Sequence, residues 1–234
     1  MIKDRKGSKM SRAVIIASFL DYPLQIADFI NEDDYIVCLD GGYDIALKQG
    51  IKPQLLLGDF DSLKTELPKD SGIEIMEYPP EKDFTDLELA FRILDPEKYD
   101  ELLVIGGLGG RLDQTITNVQ MLDTYTAGAK AADPVIMSHQ FRQIKIMDGR
   151  NLCFLIRGGN DASWVIPAVR DCFLSLFSIS DECKGLCISG VKYPLENATL
   201  KKGISLGVSN EFRADSAQLS LESGTMLVVL AARS

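Results

Sequence analysis

The chain has 234 residues, 46% of them hydrophobic and 25% charged, with 25 Lys and Arg against 34 Asp and Glu for a formal net charge of -9. Such a length suits one large domain or two modest ones with ordinary cores, and the composition is that of a globular chain. The acidic balance excludes a general nucleic-acid binder, which displays a basic footprint, and no apolar run approaches the length of a membrane span. The basic opening MIKDRKGSKM lacks the apolar segment of a signal peptide, so the expected location is cytoplasmic. Cysteines 38, 153, 172, 183 and 187 are an odd number in a chain too large to need stapling, which suggests reduced thiols. Cys183 and Cys187, with the lone histidine His139, do not make a convincing zinc set.

In chain order, AVIIASF (Ala13 to Phe19), YIVCLD (Tyr35 to Asp40), LLLGD and ELLVIGG (Glu101 to Gly107) read as strands, each closed by a polar or glycine turn. Between them, GGYDIALKQG, FTDLELAFRILD and RLDQTITNVQMLDTYTAG carry apolar residues at helical spacing. Strand and helix in alternation predict an α/β domain with a mostly parallel sheet over residues 1–146, binding ligands beyond the carboxyl ends of its strands. From residue 147 to 234 the pattern changes to short alternating segments: NLCFLIRGG, ASWVIPA, CFLSLFSIS, KGLCISGV, GISLGVSNEF, SAQLSLES and GTMLVVLAA. These predict an all-β sandwich, with Trp164 packed in its core.

Four turns carry the chemistry. The first is LDGG, with Asp40, Gly41 and Gly42. In the second, LLLGDFDS, strand alternation would set Asp59 and Asp61 on one side with Phe60 on the other. Two carboxylates that close suit a hard cation such as Mg²⁺, which takes one or two carboxylates plus water and phosphate oxygens; the alternative is a solvated loop. In the third, EKDFTD, Asp83 and Asp86 are three apart at the start of a helical pattern and can point the same way, though Asp83 also reads as a simple N-cap. Lys82 beside them suits a phosphate oxygen. The fourth, GGLGGRLDQ, sets Gly109 and Gly110 before a helix start, where backbone N–H groups and the Arg111 fork can cradle phosphate. It lacks the Lys-Ser or Lys-Thr ending of a P-loop, and glycine-rich turns also serve tight packing.

DGG, LLLGDFDS, EKDFTDLELAF, GGLGGRLDQTITN and SGVKYPLENATLKKGISLGVSNEF, in that order, resemble the thiamine pyrophosphokinase family over most of the chain. The resemblance implies an N-terminal α/β domain that binds nucleotide, a C-terminal β-sandwich that binds thiamine, and a homodimer with active sites between subunits. The implied reaction transfers a diphosphoryl group from ATP to the thiamine hydroxyl, leaving AMP, with Mg²⁺ as cofactor and neither nucleic acid nor membrane as partner. It assigns Asp59, Asp61 and Asp86, with Asp83, to the metal, and Lys82 and Arg111 to phosphates. Asp113 resembles the family's acid beside the thiamine hydroxyl, while Gln114 and Asn118 look like nucleotide or substrate contacts. Tyr193 would stack on the thiamine rings, with an ordinary sheet tyrosine as the alternative, and Ser209 and Asn210 would hydrogen-bond the pyrimidine.

The chain departs from the family pattern at Ser18-Phe19, where many members carry Asn-Gly, and at Tyr43-Asp44, where they carry a DGGAN-like turn. These departures bear on the nucleotide base and ribose. Two readings from other classes compete: a noncatalytic nucleotide- or thiamine-binding regulator, and a nicotinamide-dependent oxidoreductase. The second needs a ribose-binding acid after the next strand, and no convincing one is present.

Overall fold

The computed structural model describes residues 11–69, 72–129 and 133–233. The basic opening segment lies outside them. The chain divides into two compact units, one ending at Asp148 and the other beginning at Gly149.

In the first unit the elements run β1 (Arg12–Ile16), β2 (Tyr35–Leu39), α1 (Gly42–Lys48), β3 (Leu55–Gly58), β4 (Glu74–Glu77), α2 (Asp86–Ile93), β5 (Glu101–Ile105), α3 (Leu112–Tyr125), α4 (Pro134–Ser138) and β6 (Gln143–Met147), with a 3-10 turn at Ile26–Phe29. The strands lie in the order β6-β5-β1-β2-β3-β4, and every pairing among them is parallel. β1, β2, β3 and β5 are buried nearly throughout, as parallel strands covered on both faces must be, and this is why they read as unbroken apolar runs. The chain builds outward from β1 to β4, then returns to place β5 and β6 on the other side of β1. The connections leaving β1 and β5 therefore run to opposite sides, which makes a topological switch point at the carboxyl edge of the sheet.

α2 starts where Thr85 Oγ1 accepts the Glu88 N–H at 3.2 Å, so Thr85 and not Asp83 is the cap. Its apolar face buries Leu87, Ala90 and Phe91, and the Phe91 ring lies 5.2 Å from Tyr125 and 6.4 Å from Phe141. The Tyr125 hydroxyl donates to Glu88 at 2.9 Å, tying α3 to the helix that carries Asp86.

The second unit holds β7 (Asn151–Arg157), β8 (Ser163–Pro167), β9 (Cys172–Ser178), β10 (Glu182–Ser189), β11 (Leu195–Lys201), β12 (Asn210–Glu211), β13 (Ser216–Ser220) and β14 (Thr225–Ala232). They form two antiparallel sheets, β12-β9-β14-β7 and β11-β10-β13-β8. Their facing side chains, among them Leu174, Leu176, Leu186, Ile188, Leu219, Met226 and Val228, make one core, with Trp164 packed against it.

GISLGVSNEF departs from its expectation as a strand. Only Asn210–Glu211 forms a strand, with Phe212 in an isolated bridge to Val191, because Gly203, Gly207 and Ser209 take positive φ and turn the chain repeatedly.

Phe91 is fully buried, and Phe91→Ala leaves a void between two helices and the sheet. The expected cost is about 3–5 kcal/mol, read as a lower denaturant midpoint at unchanged slope. A loss under about 1 kcal/mol would show that this aromatic cluster does not hold α2 in place.

Candidate active site

β3 delivers the second acidic turn, but not by strand alternation. The strand ends at Gly58, and Phe60 takes a left-handed φ of 58°. Asp59 is thereby turned inward, with its side chain 16% exposed, while Asp61 sits in an exposed turn with its N–H on Asp59 Oδ1 at 3.2 Å. Gly58 is required here, since a Cβ would fall 1.7 Å from Asp40 Oδ1. The same Oδ1 accepts the Phe60 N–H at 3.1 Å, so Asp40, at the end of β2, holds the front of the loop. Gly41 and Gly42 make the turn into α1, with Gly41 facing Ser18 and Ser62.

Lys82 enters from the third turn and ends among these acids. Its Nζ lies 2.6 Å from Asp86 Oδ1 and 3.9 Å from Asp59 Oδ2, with the Lys82 side chain only 13% exposed. The contact with Asp86 is ionic rather than aligned: both Lys82 Nζ and Asp86 Oδ1 are buried without a hydrogen-bond partner among the described residues. Burial acts to lower the ammonium's pKa, but Asp86, Asp59 and Asp40 outweigh it and raise it. Asp40 is pushed up to about 7, by burial first and then by its hydrogen bond with Asp86, with Asp59 adding repulsion. Asp83 is exposed, ahead of α2, and joins none of these contacts among the described residues. The structure thus gathers Asp40, Asp59 and Asp86 around Lys82 and leaves Asp61 and Asp83 outside.

Among the described residues, no three His, Cys, Asp or Glu side chains form a ready-made metal cage. The donor set still fits Mg²⁺, which takes few protein carboxylates and fills its octahedron with water and phosphate oxygens. Asp86 Oδ1, buried with the Lys82 ammonium against it but no aligned hydrogen bond among the described residues, is the kind of hard oxygen that ion needs.

The fourth turn lies at this switch point, after β5. Gly106, Gly107, Gly109 and Gly110 all have positive φ, and the segment after β1 lies against them: Phe19 carbonyl accepts the Gly107 N–H at 3.1 Å, while the Phe19 ring and Asp21 carboxylate abut Gly110 and Gly109. Asn118 is buried on α3, and its Nδ2 donates to Gly107 carbonyl at 2.7 Å, so it shapes the loop. Arg111 and Asp113 pair with each other on the surface, side chains 73% and 64% exposed. That pairing, through its hydrogen bonds first, raises the guanidinium's pKa and lowers the carboxyl's. Gln114 is half-buried, with its N–H on Asp113.

In the second unit, Tyr193 is 58% exposed in a bend before β11, which is neither a strand nor a packed position. Asn210 is buried and spends its amide on it: Nδ2 donates to Tyr193 carbonyl at 2.8 Å, and Oδ1 accepts the N–H groups of Tyr193 and Glu211, both at 3.0 Å. Asn210 is therefore placed to fix Tyr193. Ser209 is exposed at positive φ, with its N–H on Ser175 Oγ at 2.9 Å. His139 is half-buried just past the end of α4, its Nδ1 2.9 Å from Val135 carbonyl.

Residues 26–132 match the family model described as "Thiamin pyrophosphokinase, catalytic domain", and residues 166–226 match "Thiamin pyrophosphokinase, vitamin B1 binding domain". The chain belongs to the thiamin pyrophosphokinase family. It is 26% identical over 207 residues to thiamin pyrophosphokinase 1 of Caenorhabditis elegans, covering 85% of this chain and 79% of the relative. It is also 26% identical over 207 residues to thiamine pyrophosphokinase of Bacillus subtilis (strain 168), covering 87% and 90%. The crystal structure of thiamine pyrophosphokinase from Bacillus subtilis matches with a TM-score of 0.78 at 22% identity, over 96% of this chain and 100% of that one, a likeness of fold. The Geobacillus thermodenitrificans thiamin pyrophosphokinase matches with a TM-score of 0.75 at 25% identity, over 95% and 98%.

For this family member the acid cluster predicts a pH signature. An unfolded Asp40 titrates near its ordinary value, so between there and about 7 the folded chain binds an extra proton, and stability falls as pH rises through that window. Asp40→Asn copies the protonated form, able to accept from Phe60 N–H and to donate to Asp86. Without divalent cations, wild type should lose stability relative to Asp40→Asn as pH rises from about 5 to about 8. Parallel stability curves in chemical denaturation would refute the assignment.

Proposed function

We infer that this chain is a thiamine pyrophosphokinase, transferring a diphosphoryl group from ATP to the hydroxyl of thiamine and releasing AMP. The family assignment supports the activity, and the observation that carries its mechanism is the crowding of Asp40, Asp59 and Asp86 around the Lys82 ammonium. Diphosphoryl transfer needs positioning and charge neutralisation more than a covalent nucleophile, so carboxylates with a lysine and an arginine are a sufficient kit. Asp59 and Asp86 would hold Mg²⁺, which when bound supplies neutralisation of the ATP phosphate oxygens. Asp61 and Asp83, exposed and outside the cluster, are not part of this assignment.

In the step itself, the thiamine hydroxyl oxygen bonds to the β-phosphorus of ATP as the bond from that phosphorus to the α,β-bridging oxygen breaks. AMP departs with the bridging oxygen, and the hydroxyl proton passes to a base. Lys82 trades its contact with Asp86 for a phosphate oxygen, and the Gly106–Gly110 loop presents backbone to the same group. The exposed Arg111–Asp113 pair parts easily, because such pairs contribute little in water. Once Arg111 turns to phosphate, Asp113 loses the partner that lowers its pKa and becomes a better acceptor for the hydroxyl proton.

We assign Gln114 to the nucleotide and Asn118 to shaping the glycine loop. Tyr193, held by Asn210, offers an exposed ring to the cationic thiazolium, with Ser209 beside it. The proposal extends to a cytoplasmic homodimer; among the described residues no helix is long and apolar enough to cross a membrane. No observation favours a noncatalytic regulator.

Incubation of the chain with thiamine, ATP and Mg²⁺ should yield thiamine diphosphate and AMP in equal amounts, followed by chromatography. Asp59→Asn should lower turnover by at least about a hundredfold with the fold intact, by analogy with loss of a charge-stabilising group. ADP with thiamine monophosphate as products would overturn the one-step transfer, and an unchanged rate in Asp59→Asn would remove Asp59 from the mechanism.

A further inference from the structure

The loop that bears Asp59 is held at both ends by acids from the β2–α1 turn. Asp40 takes the Phe60 N–H at the front. At the back, Asp44, buried in the first turn of α1, takes three donors on one carboxylate: Lys64 N–H on Oδ2 at 3.0 Å, and Thr65 N–H and Thr65 Oγ1–H on Oδ1 at 3.1 Å and 2.5 Å. The stretch between has little else to fix it. Asp61, Ser62, Lys64 and Thr65 are exposed, and its internal bonds are Asp61 N–H on Asp59 Oδ1 and a long Leu63 N–H to Phe60 carbonyl at 3.3 Å. Two clamps separated by one turn of helix therefore hold a loop that makes no core of its own.

We propose that Asp44 is a positioning residue for the acid-bearing loop: by anchoring Lys64 and Thr65 it sets where Asp59 stands toward a metal–nucleotide ligand. The inference rests on the reading of Asp59 as a metal-holding acid. Charge is part of the device, because only a carboxylate can accept all three donors; an asparagine presents an NH₂ to an N–H or O–H and loses at least one of them. The three donors, with the Thr65 hydroxyl foremost, also hold the Asp44 carboxyl below its usual range, as donors that favour its ionised form must. The departure from a DGGAN-like turn at Tyr43-Asp44 is then an exchange of a neutral side chain for one that binds protein backbone.

The test compares wild type, Asp44→Asn and Thr65→Val. Mn²⁺ binding in the presence of a non-hydrolysable ATP analogue is followed by electron paramagnetic resonance, and amide exchange of residues 59–65 by mass spectrometry. Asp44→Asn should weaken Mn²⁺ about ten- to a hundredfold, the usual cost of losing a group that orients a metal ligand, with the KM for thiamine within about twofold. Exchange at Lys64 and Thr65 should accelerate. Thr65 is exposed, so Thr65→Val folds, and it should weaken Mn²⁺ by a smaller factor; the double variant should be no worse than Asp44→Asn alone, since both break one clamp. Faster exchange with unchanged Mn²⁺ affinity would overturn the positioning role while leaving the metal reading intact. Absence of Mn²⁺ binding in wild type would overturn the metal reading and this inference with it. Should Asp44→Asn fail to fold, unchanged Mn²⁺ affinity in Thr65→Val overturns the proposal on its own.

Discussion

Three carboxylates of one sign meet around a single ammonium at the carboxyl edge of the parallel sheet, and the first unit is arranged to sustain that repulsion. Asp40 carries much of the strain, being buried, bonded to Asp86 and driven toward its neutral form. Lys82 relieves part of it, yet its Nζ and Asp86 Oδ1 remain without aligned hydrogen bonds among the described residues. Buried polar atoms left in this condition cost free energy, and natural folds keep them where a ligand completes the set. On the proposed function, a triphosphate with its divalent ion would be such a ligand, bringing oxygens to Lys82 and positive charge to the aspartates.

The fold makes this crowding possible by rigidity. β1, β2 and β3 are buried side by side, so the turns that leave β2 and β3 start from fixed points. Gly58 lets the Asp40 carboxylate approach the neighbouring turn, and α2 is locked by Phe91 and by the Tyr125–Glu88 bond, which fixes Asp86 at its first turn. In the second unit the same logic holds with neutral groups. Asn210, itself buried, spends its amide on the backbone of Tyr193 and leaves the ring exposed in a defined place. In both units a polar side chain holds the backbone of a neighbour that the proposed function assigns to the substrate.

What the sequence disclosed follows from burial. β1, β2, β3 and β5 are legible as apolar runs because they are buried nearly throughout, and the sandwich strands β7, β9 and β14 stand out because their apolar residues feed the core. β4 reads EIME and is almost wholly exposed at the sheet edge, and β11 reads LENATLK; neither carries a pattern that burial would impose, and both escaped a strand assignment. β6 escaped because QIKIM sits in a stretch that offered no motif. At the site, the residue types pointed to metal and phosphate chemistry, but their geometry did not follow from spacing. Phe60 in the left-handed region breaks the alternation that would have paired Asp59 with Asp61, and Thr85 takes the cap that spacing offered to Asp83. Asp44 drew notice only as a departure from a family pattern, since its donors lie 20 and 21 positions away and long-range hydrogen bonds leave no local signature.

The central claim is that Asp59 and Asp86 gather a divalent ion that carries the ATP phosphates. Crystals grown with Mn²⁺ and a non-hydrolysable ATP analogue, measured at the manganese absorption edge, test it directly. The account predicts an anomalous peak bonded to carboxylate oxygens of Asp59 and Asp86, with the Lys82 ammonium moved onto a phosphate oxygen. A peak remote from both aspartates, with the Lys82–Asp86 contact intact beneath bound nucleotide, would contradict it.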